Sequence, residues 1–189
     1  MRRTLPAFVL AAVTALALAG CAGSPAPSGT IGGSPEVQPI TGAPTIVPAT
    51  PSFTAETCPG VFVTVQFGLL GGDDVSACAK TGEPMTAAAA LKQIGVSTEG
   101  TKKYGDQVVC RVNGEPSASK PIEVPGKAAY TETCAGMPAA FAYWAFWVRD
   151  SAAGKWSYAT SGITTQQLKP GQTLGLKFTT GTDTTPPKG

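Results

Sequence analysis

Val61-Phe62-Val63-Thr64-Val65-Gln66-Phe67, followed at a distance by Thr86-Ala87-Ala88-Ala89-Ala90-Leu91-Lys92-Gln93-Ile94-Gly95, decides the fold class. In the first stretch Val61, Val63, Val65 and Phe67 recur with period two, which places them on one face of a half-buried strand. The Gly68, Gly71 and Gly72 region ends it. In the second, Thr86 is a helix cap, the alanines favour helix strongly, and Gly95 stands where a left-handed residue closes the last turn. Met85, Leu91 and Ile94 supply its apolar side. Further along, Asp106–Val112 reads as a strand closed by the turn pair Asn113-Gly114. Residues 115–138 are loop-rich, with one short strand at Ile122–Val124. Tyr143–Val148 and Lys155–Ala159 read as strands joined by Arg149–Gly154, Lys169-Pro170-Gly171 as a turn, and Leu174–Thr179 as the final strand. One helix against a mixed sheet of four to five strands predicts a small α+β domain.

The ends of the chain differ in character from this centre. Arg2 and Arg3 precede an apolar run from Leu5 to Ala19, which is too short to cross a hydrocarbon core of ~30 Å comfortably. It closes on Leu18-Ala19-Gly20-Cys21, which resembles a bacterial lipobox. Residues 1–20 are therefore expected to be a lipoprotein signal peptide and Cys21 the lipidated residue. Two acyl chains suffice for stable anchoring, so the expected partner is membrane lipid and the expected place the extracytoplasmic face of the cell membrane. Residues 22–57 hold seven prolines and only Glu36 and Glu56 as charges. Together with Cys21 they read as a flexible stalk of Pro, Gly, Ser and Thr, reaching roughly 30–40 Å on random-coil scaling. Residues 58–180 form the domain, and 181–189 read as a disordered tail.

Charge and cysteines narrow the function classes. Lys and Arg number 14 against 12 Asp and Glu, and removal of residues 1–20 takes away Arg2 and Arg3. The remainder is formally neutral, which leaves no electrostatic case for nucleic acid. The chain has no histidine, so Ser-His-Asp and Cys-His catalysis and imidazole-held metals are excluded. With Cys21 given to lipid, Cys58, Cys78, Cys110 and Cys134 form an even set, which outside the membrane reads as two disulfides. Of the three pairings, Cys58–Cys78 with Cys110–Cys134 is favoured, because each pair flanks one strand excursion. No Cys-x-x-Cys spacing supports zinc. Ser117-Ala118-Ser119-Lys120 and Lys80-Thr81-Gly82 mimic penicillin-recognising motifs in reversed order, with Pro121 blocking the helix that the first would need. Asp73-Asp74 reads as a solvated turn, and Arg111 as an exposed sheet charge opposite Cys110. No cofactor, no metal and no catalytic residue is expected.

Several segments align with one family. Tyr104-Gly105 precedes the strand Val108–Val112, and Asn113-Gly114 follows it. Next come Tyr143-Trp144-Ala145-Phe146-Trp147, Gly154-Lys155-Trp156-Ser157-Tyr158, Ser161-Gly162 and Lys169-Pro170-Gly171. In this order and spacing, over roughly residues 60–180, they resemble the transcobalamin C-terminal-like domain, also called DUF4430. The resemblance implies a β-grasp-like fold, and a tetrapyrrole or corrinoid as one variant of ligand.

The aromatic residues carry the functional expectation. Alternation puts Tyr143 and Trp147 on one face of their strand and Trp144, Phe146 and Val148 on the other. A register that sets Trp147 opposite Trp156 adds Trp156 and Tyr158 to the first face. The apolar set is the natural core under the helix. Tyr143, Trp147, Trp156 and Tyr158 have polar handles and are the candidate ligand-binding residues. Two readings stand side by side: a platform for a small ring ligand or an envelope component, and cross-strand pairs that merely stabilise the sheet, with the 115–138 loop lying over them. The expected function is a non-catalytic, tethered binding lipoprotein. The alternative is a structural or protein-interaction lipoprotein of the envelope with no small-molecule site.

Overall fold

The computed structural model describes residues 52–188, so the signal segment 1–20, Cys21 and the stalk up to residue 51 lie outside the described residues. In chain order the elements are β1 (Gly60–Gln66), β2 (Val75–Lys80), β3 (Met85–Thr86), α1 (Ala87–Gln93), β4 (Thr98–Thr101), β5 (Gly105–Val112), β6 (Ala142–Arg149), β7 (Ser157–Tyr158), β8 (Gln167–Leu168) and β9 (Thr173–Thr180). The main sheet has five strands in the order β2-β1-β9-β6-β7. β1 and β9 lie parallel at its centre, while β2 and β6 flank them antiparallel. A hairpin, a helix and a last strand returning beside the first make a β-grasp-like arrangement. Small two-stranded ribbons, β3 with β8 and β4 with β5, complete the α+β domain.

Local chemistry explains the main elements. Val61, Val63, Val65 and Phe67 are buried in a row, as their period requires. The turn after them is held by Asp74, whose Oδ1 accepts from the Phe67 amide at 2.9 Å. Register places Val75, Ala77 and Ala79 of β2 on the same face as these valines. Thr86 caps α1 by accepting from the Ala89 amide at 3.1 Å, and Gly95 takes φ 80° just past the helix. Ala87, Ala90 and Leu91 turn inward. Asn113 and Gly114 adopt φ 50° and 81° in a tight turn closed by reciprocal bonds between Val112 and Glu115. No strand follows that turn; β5 pairs on its other side with β4. The expected strand at Ile122–Val124 is reduced to one bridge, Ile122 with Tyr130.

The inner face of the sheet forms the core with α1. Trp144 anchors it, edge-on to Phe67 at 5.2 Å and to Phe178 at 5.5 Å between ring centres. Its indole N–H donates to the Glu115 carbonyl at 3.0 Å, so burial strands no donor. Leu174, Leu176, Leu91, Leu168 and Ile163 fill the space around it. At about 1.5–3 kcal/mol for each fully buried large apolar side chain, this cluster is the main source of stability.

Two disulfides join Cys58 to Cys78, 20 residues apart, and Cys110 to Cys134, 24 apart. That is the favoured pairing, and loops of this length restrict the unfolded chain by roughly 3 kcal/mol each. Arg111 corrects an expectation. It is only 7% exposed and organises the irregular 115–138 region rather than facing solvent. Its Nε donates to the Pro116 carbonyl (2.8 Å), Nη2 to the Glu132 carbonyl (2.7 Å), and Nη1 to Glu99 Oε1 (2.8 Å) and Cys134 Sγ (2.6 Å). The loop's carbonyls need buried donors because it has no ladder of its own, and a guanidinium supplies several at once.

The 181–189 segment is a second correction. Through Lys188 it is folded back over the outer face of the sheet instead of fraying. Lys177 pairs with Asp183 at 2.8 Å and donates to Thr185, while Gln66 and the Lys188 backbone exchange two hydrogen bonds. Pro187 is buried against this face. Two prolines in an extended segment lower the entropy lost on docking.

Arg111→Ala leaves two buried carbonyls without donors, at about 1–3 kcal/mol each, and is expected to lower urea-unfolding stability by at least ~2 kcal/mol. Glu99→Gln, which removes only the exposed partner, is expected to cost less than ~1 kcal/mol.

Candidate functional site

The sheet places the four expected ligand residues on its outer face, but it does not leave that face open. β6 meets β7 with Trp147 opposite Tyr158, two residues away from the expected register. A shift of two preserves the face of every side chain. Tyr158 stacks on Trp147 with ring centres 3.8 Å apart, and its hydroxyl lies beside that of Tyr143. Arg149 adds a cation to this strip, its guanidinium 4.6 Å from the Trp156 ring centre. Burial pushes the Arg149 pKa down, partly offset by Glu56. The cover is the C-terminal segment and not the 115–138 loop. Gly175 lies across the pair from Trp147; a Cβ there would come within 2.7 Å of Pro187 and 3.0 Å of the Trp156 ring. The missing side chain is what lets both sit on the strand.

Trp147 is 5% exposed, and Trp156 is half-buried; Tyr158 alone is open, at 46%. Trp147 thus packs the outer layer of the sheet rather than presenting a ring to solvent. Trp147 Nε1, Arg149 Nε and Thr173 Oγ1 are buried here without partners among the described residues.

A cleft opens elsewhere, on the far side of β6. Its volume is about 650 Å³, within the range of small-ligand sites. Trp144 and Phe146 of β6 line it together with Val109 of β5, and Met137 stands at the mouth, 66% exposed. Tyr143, Gln107, Thr160 and Ser161 add hydroxyl and amide groups. Among the described residues, no carboxylate, amine, guanidinium or thiol lines it. Gly162 sets one limit: a Cβ there would approach the Gln107 carbonyl oxygen at 2.7 Å, so two backbones touch and close the space.

Of the expected residues, the structure brings only Tyr143 to this cleft; Trp147, Trp156 and Tyr158 do not line it. Phe146 and Met137 were missed. Phe146 has the periodicity of a core residue and packs against the core, but it stays half-buried where the cleft opens. Met137 lies in a stretch without any period.

Cys110, Glu132 and Cys134 bring potential metal ligands within 4.8 Å of one another. Both sulfurs are bonded to each other, and Glu132 already accepts from the Cys134 amide and the Tyr130 hydroxyl, each at 2.7 Å. The cluster is a structural clasp. Desolvation, then the Glu132 carboxylate, push the Tyr130 pKa up to about 12.

Residues 136–189 match the SCO2322-like domain family. The match covers less than a third of the chain, from the mouth of the cleft through β6, β7 and β9 to the docked C-terminal segment. It names a different family from the one that the sequence motifs resemble. No curated protein and no solved structure matches the chain.

Trp147→Ala is expected to cost about 3–5 kcal/mol in chemical denaturation, the scale for a buried large aromatic, and Tyr158→Ala distinctly less. Absorbance titration is expected to show one tyrosine ionising only near pH 12. Because folding raises that pKa from 10.0, its contribution to stability is complete below pH 10 and falls as pH climbs towards 12. Glu132→Gln is expected to lower the apparent pKa.

Proposed function

We propose that the chain is a membrane-tethered, extracytoplasmic and non-catalytic binding lipoprotein. Its ligand site is the cleft beside β6, and what enters it is an uncharged, largely apolar group: a small ring compound or part of an envelope component. The observation that carries this reading is the cleft itself, about 650 Å³ walled by Trp144, Phe146, Val109 and Met137. Apolar walls with a few hydroxyl and amide groups favour burial of an apolar ligand and leave orientation to the rim. A charged ligand would lose its hydration without gaining an opposite charge. Among the described residues, the lining offers no nucleophile–base pair, which supports binding over catalysis. Lipid on Cys21 and the 22–57 stalk give the domain its place and reach.

The resemblance to the transcobalamin C-terminal-like domain suggests a tetrapyrrole as the first ring compound to try. Trp144 lies in the cleft wall and reports on it directly. Titration of the full chain with cyanocobalamin and with an uncharged, propionate-esterified porphyrin, read by tryptophan fluorescence, is expected to give a saturable change with one of them. Phe146→Ala and Met137→Glu should weaken that binding at least tenfold, and Tyr158→Ala should leave it within a factor of two. An unchanged signal across a panel of uncharged tetrapyrroles and other uncharged ring compounds rejects the small-ring form. The interaction-lipoprotein reading then leads, favoured by the exposure of Met137 at the mouth.

A further inference from the structure

The cleft runs beside a length of sheet edge whose backbone is not used. β7 accompanies β6 only at Trp147 and Val148, and the last bond on this side runs from the Ala159 N–H to the Phe146 carbonyl at 2.9 Å. In an antiparallel ladder a residue's N–H and C=O point to the same side, and successive residues alternate. Phe146 therefore directs its backbone away from β9, and so do Trp144 and Ala142. The Ala142 N–H turns back to Ala139 at 2.9 Å. The N–H and C=O of Trp144 have no partner on that side among the described residues.

The sequence of this edge is as unusual as its backbone. Ala142 to Val148 contains no charge and no proline. Free edges are normally guarded by lysine, proline or a bulge, because they template pairing with other chains. Here the open edge adjoins an apolar cleft instead, and the inward side chains of the same strand, Trp144 and Phe146, form the cleft's wall.

We infer that the edge of β6 receives an extended, uncharged segment of a partner protein, which adds as a further strand along Ala142–Phe146 and places its alternate apolar side chains in the cleft. The inference rests on the cleft being the binding site and specifies its occupant. A ring compound fills the apolar space but leaves the Trp144 N–H and C=O unpaired. A strand fills the same space and bonds both groups, and a buried backbone group left unmet costs about 1–3 kcal/mol. The five residues of this edge span four intervals, roughly 13 Å at ~3.3 Å per residue, so a segment of five or six residues suffices. Main-chain bonds then supply affinity and the cleft supplies selection among side chains.

The test uses the full chain in detergent and a library of blocked, uncharged hexapeptides with Val, Ile or Phe at alternate positions. Amide exchange followed by NMR reads the edge directly. Binding by at least one peptide is expected to slow exchange of the Trp144 amide tenfold or more. N-methylation of the peptide amides that face β6 should weaken binding at least tenfold, and Met137→Glu should weaken it as well. If methylated and unmethylated peptides bind equally, strand addition is overturned although the cleft still binds. If a ring compound binds in the cleft and no peptide does, the inference fails while the proposed function stands. If neither binds, both fail.

Discussion

The parallel pairing of β1 with β9 at the centre of the sheet is the constraint on which the other features depend. It brings nearly the whole described chain back upon itself, so the sheet cannot form until its last strand is in place. It also gives the centre two faces to bury. The inner face is closed by α1, Trp144 and the aliphatic cluster. On the outer face Phe62, Thr64, Thr173 and Thr179 are buried as well. A parallel neighbour needs cover on both sides, and here the outer cover comes from the C-terminal segment seated on Gly175 and Trp156. The aromatic strip of β6 and β7 is part of that second layer.

The region between β5 and β6 is held by other means. Residues 115–138 form no strand beyond single bridges, so their backbone groups find partners one at a time. Arg111 supplies donors to two carbonyls and to the Cys134 sulfur, and Glu132 takes up the Cys134 amide and the Tyr130 hydroxyl. Such a network is strong only when every member is satisfied. The Cys110–Cys134 disulfide keeps its members together.

The elements legible in the sequence are those whose signal is local. The valines of β1, the alanine helix capped by Thr86, and the turn residues Asn113 and Gly114 each follow from a few neighbours along the chain. β2 escaped notice because Val75, Ala77 and Ala79 alternate with small residues, and alanine carries little strand preference. Arg111 and the 181–188 segment were misread for another reason. Charge and proline content describe what a residue does in water, and neither reveals that a distant carbonyl or a strand glycine with room above it is waiting for it. The faces of β6 were legible down to each residue, since even a register error of two preserves them. Which face is open was not, because that depends on where β7 ends and where the C-terminal segment lands.

The family match sharpens this division. It begins at residue 136, and so includes β6, its aromatic strip and the segment that covers it. The Gln107–Val109 wall of the cleft and both cysteines of the Cys110–Cys134 disulfide lie outside it. Gly175, Trp156 and Pro187, whose contacts cover the outer face of β9, all fall within the match. So do the edge of β6 and the Ala159–Ile163 side of the cleft. The open backbone of Trp144 therefore lies within the matched stretch, whereas β5 brings Gln107, Val108 and Val109 to the cleft from outside it. Selectivity should accordingly follow Gln107, Val108 and Val109, three residues on a short ribbon that can change without disturbing the central strands.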